Sequence, residues 1–158
     1  AAQFVVTHIG RSESTLSQAA ELARLGGFAD ATSGGDAEGA AHHVVDLWER
    51  GAPPEQVSIS SDGQGSLPVF DERRALVGYD VAAPSSLLEA TLRLRSLLAS
   101  RLGEDALARA LLPVTIVPAT ALGLPNHGRV ALGAAADLVA LTASGEVRMV
   151  WAGGKQLL

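Results

Sequence analysis

Val57-Ser58-Ile59-Ser60-Ser61-Asp62-Gly63-Gln64-Gly65-Ser66-Leu67-Pro68 reads as a buried strand, Val57–Ser61, that carries one carboxylate to its C-terminal end. A glycine-rich turn follows, where backbone can approach a ligand closely. In α/β proteins the C-terminal strand ends are where chemistry is commonly placed, because loops there are held by a rigid sheet. Working back toward the N-terminus, Gln3–Ile9 is a second apolar run, read as a buried parallel strand. It delivers His8 and Arg11 to its end. One histidine and one aspartate, each at a strand mouth, suggest part of a metal site.

The segments between these strands alternate. Ser14 to Leu25 places Leu16, Ala19, Ala20, Leu22 and Ala23 at helical spacing, and Gly26-Gly27 ends the helix. Phe28–Ser33 reads as a short strand closed by Gly34-Gly35-Asp36. Ala37 to Arg50 has the period of a helix, stopped by Gly51 and Pro53-Pro54. Strand, helix, strand, helix, strand implies a parallel sheet with crossover helices.

Further on, Val69 to Pro84 carries Asp71, Glu72, Arg73 and Arg74 and reads as an irregular surface loop or lid. Ser85 to Leu102 is the longest predicted helix, with Ser85 or Ser86 as its cap and Glu89 completing a capping box. Shorter helices are expected over Asp105–Leu112 and within Val114–Leu124. After Pro125 the texture changes to short β-type runs separated by glycine: 128–130, 137–141, 147–151 and 155–158.

Composition bounds the class. The chain has 158 residues, 47% hydrophobic, 18% charged and only 4% aromatic, so the core must be built from Leu, Val and Ala. Net charge is −5, with no basic stripe, which leaves a nucleic-acid role without support. There is no cysteine, so a metal would have to be held by histidine and carboxylate. No apolar run approaches the about 18 residues that a membrane-spanning helix needs. A cytoplasmic location is expected. The chain starts without Met and enters a strand directly, which suggests that it begins inside a longer protein.

Thr7-His8-Ile9-Gly10-Arg11, Ser60-Ser61-Asp62-Gly63-Gln64-Gly65-Ser66 and Ala136-Asp137-Leu138-Val139 together resemble the amidohydrolase superfamily. Gly133–Val139 is typical of the superfamily at large. The first two segments are more particular to the isoaspartyl (β-aspartyl) dipeptidase family within it. The resemblance runs over essentially the whole chain and covers the C-terminal portion of that enzyme.

It implies an α/β fold, namely the C-terminal part of a (β/α)8 TIM-type barrel over residues 1–124, with strands equivalent to the sixth, seventh and eighth. A small β-sandwich segment would follow over 125–158. A whole barrel takes about 250 residues, so five strands would lie elsewhere. The implied activity is zinc-dependent hydrolysis of β-aspartyl dipeptides by metal-activated hydroxide. His8 and Asp62 would be metal ligands and Asp62 the catalytic proton carrier. Arg11 and Ser66 would contact the dipeptide.

The family holds two Zn²⁺ per complete subunit. Its His-x-His pair, carboxylated lysine and further histidine have no match here, so this chain would carry only part of the site. Homo-oligomers are also implied, with no nucleic-acid or membrane partner.

The residues taken singly leave simpler readings open. His8 could satisfy a backbone carbonyl, and Asp62 could hold an Asx turn. Arg11 could pair with Glu13 on the surface, and Ser66 could pack before Pro68. His42 and His43, adjacent on a helix, point about 100° apart and cannot chelate together. One is expected to face solvent and the other to pack. His127, Asp30 and Asp36 receive no chemical role. Two further functions stay open: another amidohydrolase acting on a cyclic amide or N-acyl amino acid, and a non-catalytic scaffold or oligomerisation module.

Overall fold

The computed structural model describes residues 4–158. Three parallel strands form its first sheet: β1 (Val5–Val6), β2 (Phe28–Thr32) and β3 (Val57–Ser60), in the order β1-β2-β3. Helix α1 (Glu13–Arg24) crosses from β1 to β2, and α2 (Ala37–Glu49) from β2 to β3. Both start on side-chain caps: Ser12 Oγ accepts from Thr15 N at 3.1 Å, and Asp36 Oδ1 from Gly39 N at 2.7 Å. Each cap satisfies an amide that the first helical turn leaves without a partner.

The core lies between these helices and one face of the sheet. Ala29, Ala31, Val57 and Ile59 point to that side, against Leu16, Ala20 and Ala23 of α1 and Ala40, Val44 and Leu47 of α2. Small alanines let the helices sit close to the strands, which the low aromatic content anticipates. The opposite face of β2 and β3 carries Asp30, Thr32, Ser58 and Ser60, because alternate strand residues point to opposite sides. Helix α3 (Ser86–Leu102) packs on α2 through Ala90, Leu94 and Leu98, and α4 (Ala106–Leu111) adds Ala106 and Ala110. Then α5 (Ile116–Ala121) closes the helical part, with Val117 and Ala119 buried.

Several expectations need correction. The run read as a long buried strand pairs over only Val5 and Val6; Gln3 lies outside the described residues. It is also not buried: Phe4 is 69% and Val5 52% exposed. Its ladder runs along β2 on one side only, and the left-handed backbone at His8 (φ 56°) ends the extended run.

The segment read as an irregular loop is a hairpin, β4 (Ser66–Phe70) against β5 (Leu76–Val81). Pro68 is tolerated because a two-stranded ribbon has a free edge. Asp71 builds the turn: its Oδ1 accepts from Arg73 N at 2.9 Å and Ala75 N at 2.8 Å. The base of the hairpin continues into the Asp62 turn, where Gln64 N donates to Ala82 O and Ala82 N to Gly65 O, both at 2.9 Å.

The capping box at α3 does not form. Ser85 makes no side-chain cap, Ser86 Oγ lies 2.9 Å from Ser33 Oγ, and Glu89 turns instead toward Arg93. The last strands are β6 (Leu138–Leu141), β7 (Val147–Ala152) and β8 (Lys155–Gln156), an antiparallel meander in that order. Residues 128–130 and Gly133 form no strand. No helix among the described residues is long and apolar enough to cross a membrane.

Leu47 is fully buried under the sheet. Leu47→Ala should lower stability by about 2–5 kcal/mol, the range for emptying a close-packed aliphatic site. Urea titration of the full-length protein measures this. An unchanged midpoint would contradict the assignment of the core.

Candidate active site

At the C-terminal ends of the three parallel strands the chain leaves extended geometry abruptly. His8 has φ 56° and Asp62 has φ 49°, both in the left-handed region. Few non-glycine residues adopt it, although Asn, Asp and His do so more readily than most. Such backbone persists where its surroundings hold it, and it gathers at functional sites. Here it turns two chemistry-bearing side chains out of the sheet and over its end.

One cavity of about 300 Å³ opens there, and His8, Arg11, Asp62 and Ser66 all line it, with Thr32 and His43. All four residues singled out in the sequence therefore converge on one space. His8 is half-buried, while Arg11, Asp62 and Ser66 are exposed to the cavity and to solvent.

Two of the simpler readings can be compared with the geometry. Glu13 does not pair with Arg11; its Oε1 lies 2.7 Å from Arg50 Nη2. The turn after β3 is held by Ser61 Oγ, which accepts from Gly63 N at 3.1 Å, and by the Asp62 carbonyl, which accepts from Gly65 N at 2.7 Å. The Asp62 carboxyl is thus left available to the cavity. Gly65 is required beside it: a Cβ there would sit 2.8 Å from Asp62 Oδ2 and 2.7 Å from Asp62 O.

His43 is the residue that sequence reasoning missed. His42 is exposed, as expected of one of the pair, but His43 lines the cavity. The signal was its spacing. Ala40, His43 and Leu47 fall on one face of α2, and both flanking members are buried. The His43 ring also occupies the space that a side chain at position 10 would fill, so Gly10 has to be small. Asp36 caps α2 and lines a separate cavity with Glu38 and Asp80. His127 lies 3.8 Å from Asp137, whose Oδ1 accepts from Gly153 N in the β7–β8 turn.

His8 and Asp62 offer an imidazole nitrogen and a carboxylate oxygen, donor types that zinc takes. Among the described residues no three His, Cys, Asp or Glu side chains converge closely enough to enclose a metal ion. Two such donors do not close a metal site by themselves.

Comparison with known proteins identifies the family. The family model "Amidohydrolase family" matches residues 11–157. The beta-aspartyl dipeptidase of Fervidobacterium islandicum AW-1, solved with beta-Asp-Leu dipeptide, is 33% identical with a TM-score of 0.80; the match covers 98% of this chain and 40% of that one. A second structure of the dipeptidase from that organism gives 29% identity and a TM-score of 0.76, over 98% and 37%. The chain therefore spans about two fifths of these relatives. N-acetylglucosamine-6-phosphate deacetylase from Pasteurella multocida, at 16% identity and a TM-score of 0.53 over 82% and 36%, shows likeness of fold alone.

Gly65→Ala should push the Asp62 carboxyl out of the cavity. A crystal structure of the variant measures this, and an unmoved carboxyl beside the new methyl group would contradict the packing described. The family model, matched over nearly the whole chain, together with the 33% identity to a beta-aspartyl dipeptidase, shows that the chain belongs to the amidohydrolase family.

Proposed function

We propose that the chain is the C-terminal part of a metal-dependent hydrolase that cleaves β-aspartyl dipeptides. On this reading β1, β2 and β3 correspond to the sixth, seventh and eighth strands of a (β/α)8 barrel. Residues 125–158 contribute to a small β-sandwich. The observation that carries the proposal is the convergence of His8, Arg11, Asp62 and Ser66 on one cavity at the strand ends. Barrel enzymes place their chemistry at that end.

His8 and Asp62 would be the two metal ligands supplied here. Bound zinc would polarise the scissile carbonyl and make water a competent nucleophile near neutral pH. Asp62, exposed to the cavity, takes the proton released as water attacks the carbonyl carbon. It then delivers that proton to the nitrogen as the C–N bond breaks. The products are aspartate, with its β-carboxylate restored, and a free amino acid.

Arg11 supplies selectivity. A guanidinium presents paired N–H donors that match a carboxylate, and an isoaspartyl dipeptide carries free carboxylates on both sides of its bond. Ser66, four residues past Asp62, adds one hydroxyl able to donate or accept. The similarity to a dipeptidase solved with beta-Asp-Leu supports this substrate class. A homo-oligomer acting in the cytoplasm on a small dipeptide completes the proposal.

Two substitutions test it in the full-length protein. Asp62→Asn, which keeps a residue suited to the left-handed backbone, should abolish turnover of β-Asp-Leu while the fold is retained by circular dichroism, and retained turnover would remove the proton-transfer role. Arg11→Met should weaken the substrate chiefly through KM. Removing one charged hydrogen-bond partner is worth about 1.5–3 kcal/mol, or roughly ten- to a hundredfold. An unaltered KM would show that the guanidinium does not read a substrate carboxylate.

A further inference from the structure

Asp30 is a carboxylate only 5% exposed, in the middle of the central strand β2, and the chemistry described above does not use it. Three hydroxyls converge on it. Asp30 Oδ2 accepts from Thr7 Oγ1 at 2.9 Å and from Ser60 Oγ at 2.6 Å, and Asp30 Oδ1 accepts from Ser58 Oγ at 2.8 Å. A buried carboxylate is costly unless its lone pairs are met, and here three donors from two neighbouring strands meet them.

The places of those donors in the chain give the cluster its meaning. Thr7 directly precedes His8, and Ser60 stands two residues before Asp62. The backbone ladder between β1 and β2 ends at Val6↔Ala29, so no sheet pairing reaches His8. The Thr7 hydroxyl is the next tie along β1. It lies also within 3.3 Å of Thr32 Oγ1, and Thr32 lines the cavity. On the other side β3 is laddered to β2 as far as Ser60↔Thr32. The weakly held strand is therefore β1, and Asp30 reaches across to it from beneath the cavity.

We infer that Asp30 is a positioning residue: through the Thr7 hydroxyl it fixes the start of the His8–Arg11 turn relative to Asp62. The inference deepens the proposed function, and its kinetic arm rests on that reading. Ser58 provides the internal control. Its bond to Asp30 is of the same kind, but it lies deeper in β3, four residues from Asp62 and away from β1.

The test compares Thr7→Val, Thr7→Ser and Ser58→Ala in the full-length protein by hydrogen exchange and kinetics. Thr7→Val should raise deuterium uptake across residues 7–11. It should also lower kcat on β-Asp-Leu by about ten- to a hundredfold, the scale of a small misplacement of reacting groups. Thr7→Ser, which keeps the hydroxyl, should behave as the parent, and Ser58→Ala, which costs stability but keeps the Thr7 bond to Asp30 Oδ2, should change uptake across 7–11 and kcat far less than Thr7→Val does. Equal effects of Thr7→Val and Ser58→Ala would overturn the inference, as would undisturbed uptake in Thr7→Val. If the parent protein hydrolyses no β-aspartyl dipeptide, the functional reading fails, and the uptake comparison still decides the role of Asp30.

Discussion

The parallel pairing of β2 with β1 and β3 is the constraint on which the rest depends. It forces the chain to return over one face through α1 and α2, and so creates the alanine-rich core. It also aligns three strand ends at one edge of the sheet. Only because the strands run the same way do His8 and Asp62, more than fifty residues apart, come to line the same cavity. An antiparallel arrangement would send one of them to the opposite end.

The two faces of the sheet divide the work. One is apolar, close-packed and covered by helices, and it provides stability through burial of small aliphatic groups. The other carries Asp30 with its hydroxyl partners, a network satisfied by side chains from all three strands. Satisfied polar networks in a low-dielectric setting are rigid, because breaking one bond leaves a buried group unpaired. Rigidity directly beneath a cavity is what holding reactive groups in register requires. The hairpin β4–β5 extends this support by pinning the Asp62 turn from the far side, through Ala82.

Much of this was legible in the sequence, for identifiable reasons. Helices α1 and α2 and strands β2 and β3 carry strong periodicity with glycine, proline or cap residues at their ends. His8 and Asp62 stood out because of where their strands stop, and Arg11 and Ser66 through the family resemblance of the motifs around them. What was not legible depended on tertiary context. Nothing in the apolar run through Ile9 shows that His8 adopts left-handed backbone and halts β1. The hairpin escaped notice because Pro68, Gly78 and the charges at 71–74 imitate a loop, while the turn is organised by two bonds to Asp71. Ser86 and Glu89 have the spacing of a capping box, yet Ser86 bonds to Ser33 and Glu89 turns to Arg93. His43 was judged with His42 as an adjacent pair, and its position on the Ala40–Leu47 face was overlooked.

We propose that this strand-end cavity belongs to an enzyme that reads the free carboxylates flanking an isoaspartyl bond. The most direct measurement is the initial rate of the full-length protein on β-Asp-Leu and on its isomer α-Asp-Leu, side by side. The account predicts a clear preference in kcat/KM for the β-linked dipeptide. Equal rates on the two isomers, or hydrolysis of N-acyl substrates with neither dipeptide cleaved, would contradict it.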